Sequence, residues 1–250
     1  MCIRDRYRWA DDAEKAVSVA RLMVAAKVGN CRAVLLREQR NHGEHDDLAR
    51  AAQALAALLE NIRHARSVPQ LMGLEGEAAS VYFGVFAHLL RAPGFVFDGR
   101  VRRPPADPVN ALLSFAYVLL ASECASALAG VGLDPYVGFL HQDRPGRKSL
   151  ALDLMEELRA PMADRFVLTL INRGQIKPTD FVTEASGAVR LTEDARKALL
   201  TAYQERKKET LRHPYLEESI ELGLIPHAQA LLLARHLRGD MAQYTPFTVR

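Results

Sequence analysis

Apolar residues recur at helical spacing in almost every segment of this chain, and that pattern excludes a fold built on sheets. In residues 11–38, Ala16, Val19, Ala20, Met23, Val24 and Val28 mark one face of a long helix. Asn41-His42-Gly43 ends it, and a second helix rich in alanine and leucine is predicted over 44–66. The short connection predicts antiparallel neighbours. Gly73-Leu74-Glu75-Gly76-Glu77 is predicted to open a helix reaching about residue 90, with Leu71, Leu74, Ala78, Tyr82, Val85 and Leu89 as its stripe. Asp107-Pro108 reads as N-cap and first residue of the next. Ser149 is the expected cap of a short helix with Leu150, Leu154 and Leu158 on its apolar face. Pro161 is expected to break or kink the chain after Arg159, before a further helix to about residue 172. Thr192, with Glu193 and Asp194 behind it, caps another, and Pro226 begins the last, to Arg238. The one departure is 181–191, where two short runs flank Ala185-Ser186-Gly187 as a small β-hairpin. The predicted fold class is mainly α, a multi-helix domain with one small β-hairpin.

Residues 111–131 are apolar enough to raise the question of a membrane span. Ser114, Ser122, Glu123 and Ser126 interrupt them, and a buried core helix is the reading that fits, with no membrane partner. A chain 49% hydrophobic and 25% charged is ordinary for a globular protein. Its net charge of +3 permits a nucleic-acid partner without requiring one. Cys2, Cys31 and Cys124 have no C-x-x-C spacing, so neither a disulfide framework nor a zinc knuckle is implied, and a cytoplasmic location fits.

The chemistry-bearing residues cluster in two places. Asp153, Glu156 and Glu157 lie off the apolar face of the short helix, within an arc of about 100°. Such carboxylates repel unless water screens them or a cation binds them. His141 lies just upstream, beyond the polar turn 143–147, and a histidine beside carboxylates suits a divalent metal; a solvated acidic face and a half-buried histidine are the alternative. Glu75 falls inside the stripe of its helix and Glu77 well outside. A carboxylate facing a core costs several kcal/mol unless paired or metal-bound, so Glu75 needs a partner. His45-Asp46 alone is too weak a motif to mark a phosphohydrolase. The loop 91–107 carries Arg91, Arg100, Arg102 and Arg103 with Phe95 and Phe97, a composition suited to phosphate contact and base stacking, or simply to a solvated loop. His227 and His236 lack carboxylates at ligand spacing and read as structural.

With these residues in view, the chain resembles the CRISPR adaptation integrases, the CRISPR-associated endonucleases of spacer acquisition. The resemblance spans about residues 10–250 and rests on Gly-Leu-Glu-Gly at 73–76, Arg-Arg-Pro-Pro-Ala-Asp-Pro-Val-Asn-Ala-Leu-Leu-Ser-Phe at 102–115, Gly-Phe-Leu-His-Gln-Asp-Arg-Pro-Gly-Arg at 138–147 and Asp-Leu-Met-Glu-Glu at 153–157. Ala-Leu-Leu-Leu-Ala-Arg-His-Leu-Arg-Gly-Asp at 230–240 adds to it. It implies a divalent ion, Mg2+ or Mn2+, on Glu75, His141 and Glu156, with glutamate standing where the family often has aspartate. It implies supporting roles for Asp153, Asn110 and Tyr117 near that site. Arg102, Arg103, Arg144 and Arg147 are the candidate DNA contacts. The implied reaction joins short DNA duplexes, the new spacers, to the CRISPR repeat by transesterification. The implied partners are double-stranded DNA, a second copy of the chain and a small ferredoxin-like nuclease subunit. Members of the family begin with a β-rich domain that has no counterpart here, so residues 10–250 read as the helical catalytic domain and residues 1–9 as a leader outside the fold. The competing reading is a non-catalytic helical DNA-binding scaffold, which would keep the basic loop and need no buried carboxylate at Glu75.

Overall fold

A computed structural model describes residues 9–101 and 103–249. Most of the expected leader and Arg102 therefore lie outside the described residues. Trp9 is within them: its indole Nε1 donates to Leu237 O at 3.0 Å and its ring packs on His236.

Helix α1 (Ala13–His42) starts where Asp12 accepts from the backbone N–H groups of Glu14 and Lys15, and Gly43 ends it at φ 97°. Helix α2 (Asp46–His64) folds back against α1 along Leu48, Ala51, Ala52, Leu55, Leu58 and Ile62. Helix α3 (Val68–Gly84) begins earlier than the sequence reading placed it. Ser67 caps it by accepting from Gln70 N, and Pro69 sits in the first turn, so Gly73 and Gly76 lie in its middle. A 3-10 turn (Phe86–Leu89) follows.

Helix α4 (Pro108–Gly130) has the expected Asp107 cap and Pro108 start. It is one helix long and apolar enough to cross a membrane, and half of it is buried inside the molecule. It packs against α5 (Ser149–Leu158), α6 (Arg165–Asn172) and α8 (Ile225–Arg238). In α5 the cap residue is Lys148 with no side-chain bond, and the Ser149 hydroxyl instead donates to Gln142 O at 3.1 Å. Pro161 does not break the chain. Residues Arg159–Asp164 widen into a π-helical turn that joins α5 to α6, because the wider ladder relieves the bond Pro161 cannot make.

The hairpin β1 (Phe181–Thr183) and β2 (Val189–Leu191) is antiparallel, with Phe181 opposite Leu191. Helix α7 (Glu193–Lys207) follows its Thr192 cap. A second hairpin, β3 (Thr210–Arg212) and β4 (Ser219–Glu221), escaped the sequence reading because its strands are three residues each and mostly exposed. The fold is mainly α, with two two-stranded sheets among the described residues.

The C-terminal segment is stitched across α1 and α5. Asn30 Nδ2 donates to Glu157 O at 2.7 Å and Phe247 O at 2.8 Å, and its Oδ1 accepts from Val249 N at 2.9 Å. Tyr244 and Phe247 are fully buried there.

Candidate active site

Helix α5 is buried nearly all round, so its acids do not form a solvated face. Each turns to its own partners. Glu157 accepts from Gln229 Nε2 at 2.6 Å, Tyr244 OH at 2.8 Å and Phe247 N at 3.2 Å. Burial pushes its carboxyl up to about 7 against those three bonds. It fastens the C-terminal segment.

Asp153 holds the histidine loop. Its Oδ2 accepts from Phe139 N and Leu140 N at 2.6 and 2.9 Å, and its Oδ1 from His141 N at 3.0 Å. The same Oδ1 lies 2.6 Å from His141 Nδ1. A carboxylate oxygen so engaged can only accept, so in the neutral ring the proton sits on Nδ1 and the Nε2 lone pair points away from Asp153. Nε2 lies 4.0 Å from Glu156 Oε1.

This loop can approach α5 only through Gly138. A Cβ there would sit 2.7 Å from His141 O, 2.8 Å from Ser149 Cβ and 3.0 Å from Asp153 Oδ2. Gly138→Ala is expected to cost about 1–3 kcal/mol of stability through overpacking. It should also lower any activity that depends on His141 at temperatures where the protein stays folded; a thermal melt and an activity assay on one sample check both, and an unchanged melt would contradict the contact.

Glu75 lies on the inward side of α3 and Glu77 is exposed, as the helical wheel requires. The partner that Glu75 needs is Lys27, which the sequence reading missed. The Lys27 ammonium forms a very short pair with Glu75 Oε1 and lies 2.5 Å from Glu156 Oε2. Burial opposes its charge, but Glu156 and Glu75 outweigh both burial and nearby Arg159, and its pKa stands above the ordinary value. The signal was available. Lys27 falls three residues from Val24 and four from Met23 and Cys31, inside the buried stripe of α1, as Glu75 does on α3.

Glu156 is almost completely buried. Burial raises its carboxyl, yet Arg159, Lys27 and His141 bring the net result below its ordinary value. Arg159 Nη2 is 2.9 Å from Oε1; Oε2 has the Lys27 ammonium beside it but no well-aligned hydrogen-bond donor.

Two further predicted residues reach this site through arginines. The Arg159 guanidinium lies over the Tyr117 ring at 5.0 Å, and Tyr117 OH donates to Asp164 Oδ1 at 2.6 Å. Burial pushes the Asp164 carboxyl up to about 6. Arg100 covers Tyr117 at 5.4 Å and donates to Asn110 Oδ1 at 2.7 Å and Ser114 Oγ at 3.0 Å. Asn110 thus holds the loop end at Gly99–Val101 rather than the carboxylates themselves. Arg103 and Arg144 are exposed and Arg147 is half-buried.

Among the described residues, one compact set of metal-ligand atoms lies elsewhere. His45, Asp47 and His88 bring theirs within 4.8 Å of one another, at the start of α2 and in the 3-10 turn. Asp47, not Asp46, is the acid there, and it also pairs with Arg50. Glu75 Oε1 and Glu156 Oε2 both face the Lys27 ammonium, whereas His141 Nε2 lies toward the other oxygen, Glu156 Oε1.

A family model described as CRISPR associated protein Cas1 matches residues 1–205. The CRISPR-associated endonuclease Cas1 2 of Rhodospirillum rubrum is 54% identical over 98% of this chain and 73% of its own length. The CRISPR-associated endonuclease Cas1 1 of Chlorobaculum tepidum is 49% identical over 99% of this chain and 74% of its own. Among solved structures, a chain of a partial Cas6-RT-Cas1–Cas2 complex superposes with a TM-score of 0.85 at 27% identity, over 98% of this chain and 72% of that one.

Proposed function

The chain belongs to the Cas1 family of CRISPR-associated endonucleases, the integrases of CRISPR adaptation, and from that membership we propose that Glu75, His141 and Glu156 form its metal-dependent active site. The observation that carries this reading is the Lys27 ammonium between two inward-facing glutamates, beside a histidine whose other nitrogen is fixed by Asp153.

The residues fit a divalent ion. Two carboxylates and one imidazole nitrogen are a hard donor set with one borderline member, suited to Mg2+ and more so to Mn2+. Glu156 Oε2 is buried without an aligned donor, and the place between the glutamates already accommodates positive charge. Asp153 orients His141 as outer-shell carboxylates orient metal-bound histidines. A scaffold would have no use for this arrangement.

The substrate is double-stranded DNA. A 3′-hydroxyl of a short duplex attacks a phosphodiester at the CRISPR repeat; a new P–O bond forms, the P–O bond to the old 3′ oxygen breaks, and that oxygen leaves as a hydroxyl. When bound, the ion neutralises charge on the phosphoryl oxygens in the in-line transition state. The protein's part is to hold the donors in place. Asp153 fixes the ring of His141, and Arg159 steadies Glu156 from the side of Tyr117. Arg102, Arg103, Arg144 and Arg147 are assigned to the DNA backbone. A second copy of the chain and a small ferredoxin-like nuclease of the Cas2 type are the proposed protein partners, in the cytoplasm.

The test is ion binding without catalysis. Mn2+ titrated against the protein and followed by electron paramagnetic resonance should bind at a site that Glu156→Gln removes and that Glu77→Gln leaves intact. Mn2+ that binds equally well to Glu156→Gln, or only until His88 is replaced, would move the metal away from this site.

A further inference from the structure

Beyond the active site, the cleft between the C-terminal end of α1 and helix α6 concentrates arginines. It is a cavity of about 250 Å³ lined in part by Arg37, Arg91, Arg165 and Arg173, with Glu38 as its one acid. Glu38 is already engaged: its Oε1 lies 2.7 Å from Arg91 Nη1 and 3.8 Å from His42 Nε2. The guanidinium groups of Arg37, Arg165 and Arg173 pair with no carboxylate among the described residues. Arg206 of α7 adds its charge near Arg165, with Glu209 at 3.7 Å from it as partial compensation.

Like charges gathered without counter-charges destabilise a fold, and the effect grows as water is removed. Arg165 reports this. Burial first, then Arg37 and Arg206, bring its guanidinium down to about 10. The rim is nonetheless held firmly. Asn172 accepts from Arg91 N at 2.8 Å and donates to Leu89 O at 2.8 Å, tying the end of α6 to the end of the 3-10 turn and the residues just after it. A cleft of forked donors with surplus positive charge, Arg165 half-buried and Arg37 and Arg173 exposed at its rim, has the chemistry of a phosphate receptor.

We propose that this cleft binds a phosphate group, with Arg37, Arg165 and Arg173 as its donors. A phosphodiester of the DNA backbone is the favoured source. Arg37 lies ten residues beyond Lys27 on α1, about 15 Å along the helix. At about 3.4 Å per nucleotide step, that suits a phosphate four or five steps from the reacting one. Free phosphate or a nucleotide offers the same chemistry, and the two sources separate experimentally.

The variant is Arg37→Gln/Arg165→Gln/Arg173→Gln. In the first arm, binding of a fluorescent duplex is followed by anisotropy as salt is raised. Each lost phosphate contact should reduce the slope of log affinity against log salt by about 0.9. In the second arm, inorganic phosphate is added during thermal melts of both proteins. A reduced slope assigns the pocket to DNA. An unchanged slope, with phosphate raising the melting temperature of the wild type alone, assigns it to a free phosphate. An unchanged slope with no selective stabilisation overturns the proposal. Removing mutually repelling charges should leave the variant's melting temperature at low salt no lower than that of the wild type. Should the triple variant misfold, the exposed single change Arg173→Gln carries both arms. Mn2+ binding at the glutamate site should be unaffected, which keeps this pocket's failure apart from that of the active site.

Discussion

Alanine at Glu75, His141 or Glu156, one at a time, is expected to abolish strand transfer into repeat-bearing DNA while duplex affinity changes little. At the proposed site, chemistry would depend on one ion and its three donors, whereas DNA contact would be spread over many arginines and lysines. Asp153→Asn should cost less, about 10–100-fold, because it touches the donor histidine and not the ion. Glu77→Ala should do nothing measurable, since that side chain is exposed. Strand-transfer products resolved on a gel, with affinity measured in parallel, read every variant. Loss of activity in Glu77→Ala with retention in Glu75→Ala would put the wrong face of α3 in the site.

Lys27→Met is expected to be the most destabilising single change in this region. It keeps the length of the side chain and removes the charge shared by Glu75 and Glu156. Breaking a buried ion pair on one side typically costs about 3–5 kcal/mol, most of it from the charge left behind. The same change should make the protein respond more strongly to a divalent ion, because the ion then has no ammonium to displace. At one hundred times its Kd, an ion binding only the folded state returns about 2.7 kcal/mol. Melts with chelator and with Mn2+ therefore should differ more for Lys27→Met than for wild type. Equal shifts in the two proteins would mean that Lys27 and the ion do not compete for one place.

Helix identity was readable because the apolar spacing is strong, and caps such as Asp12, Asp107 and Thr192 use local chemistry that needs no tertiary information. Where the reading slipped, the deciding contact was distant. Gly73 and Gly76 look like a helix start until Ser67 and Pro69 are seen to cap α3 earlier. Pro161 looks like a break because a π turn has no sequence signature of its own. Glu75 was identified as a carboxylate needing a partner, but a wheel drawn on one helix cannot say which other helix supplies it. Lys27 is separated from it by 48 residues. The arc of Asp153, Glu156 and Glu157 suggested one shared purpose, and only the packing around α5 reveals three separate ones.

The stitching of the C-terminal segment has a genetic consequence. Asn30 stands three residues from Lys27 and Glu157 stands next to Glu156, and both are bonded to residues in 244–249. A screen for cells that fail to acquire spacers should therefore recover alleles at Tyr244 and Phe247 together with alleles of the proposed metal donors. Such alleles would look like active-site lesions in phenotype while sitting some 90 residues away in sequence from the helix they support. Suppressors would be expected in α1 or α5, where a compensating change can restore the seating of those two helices.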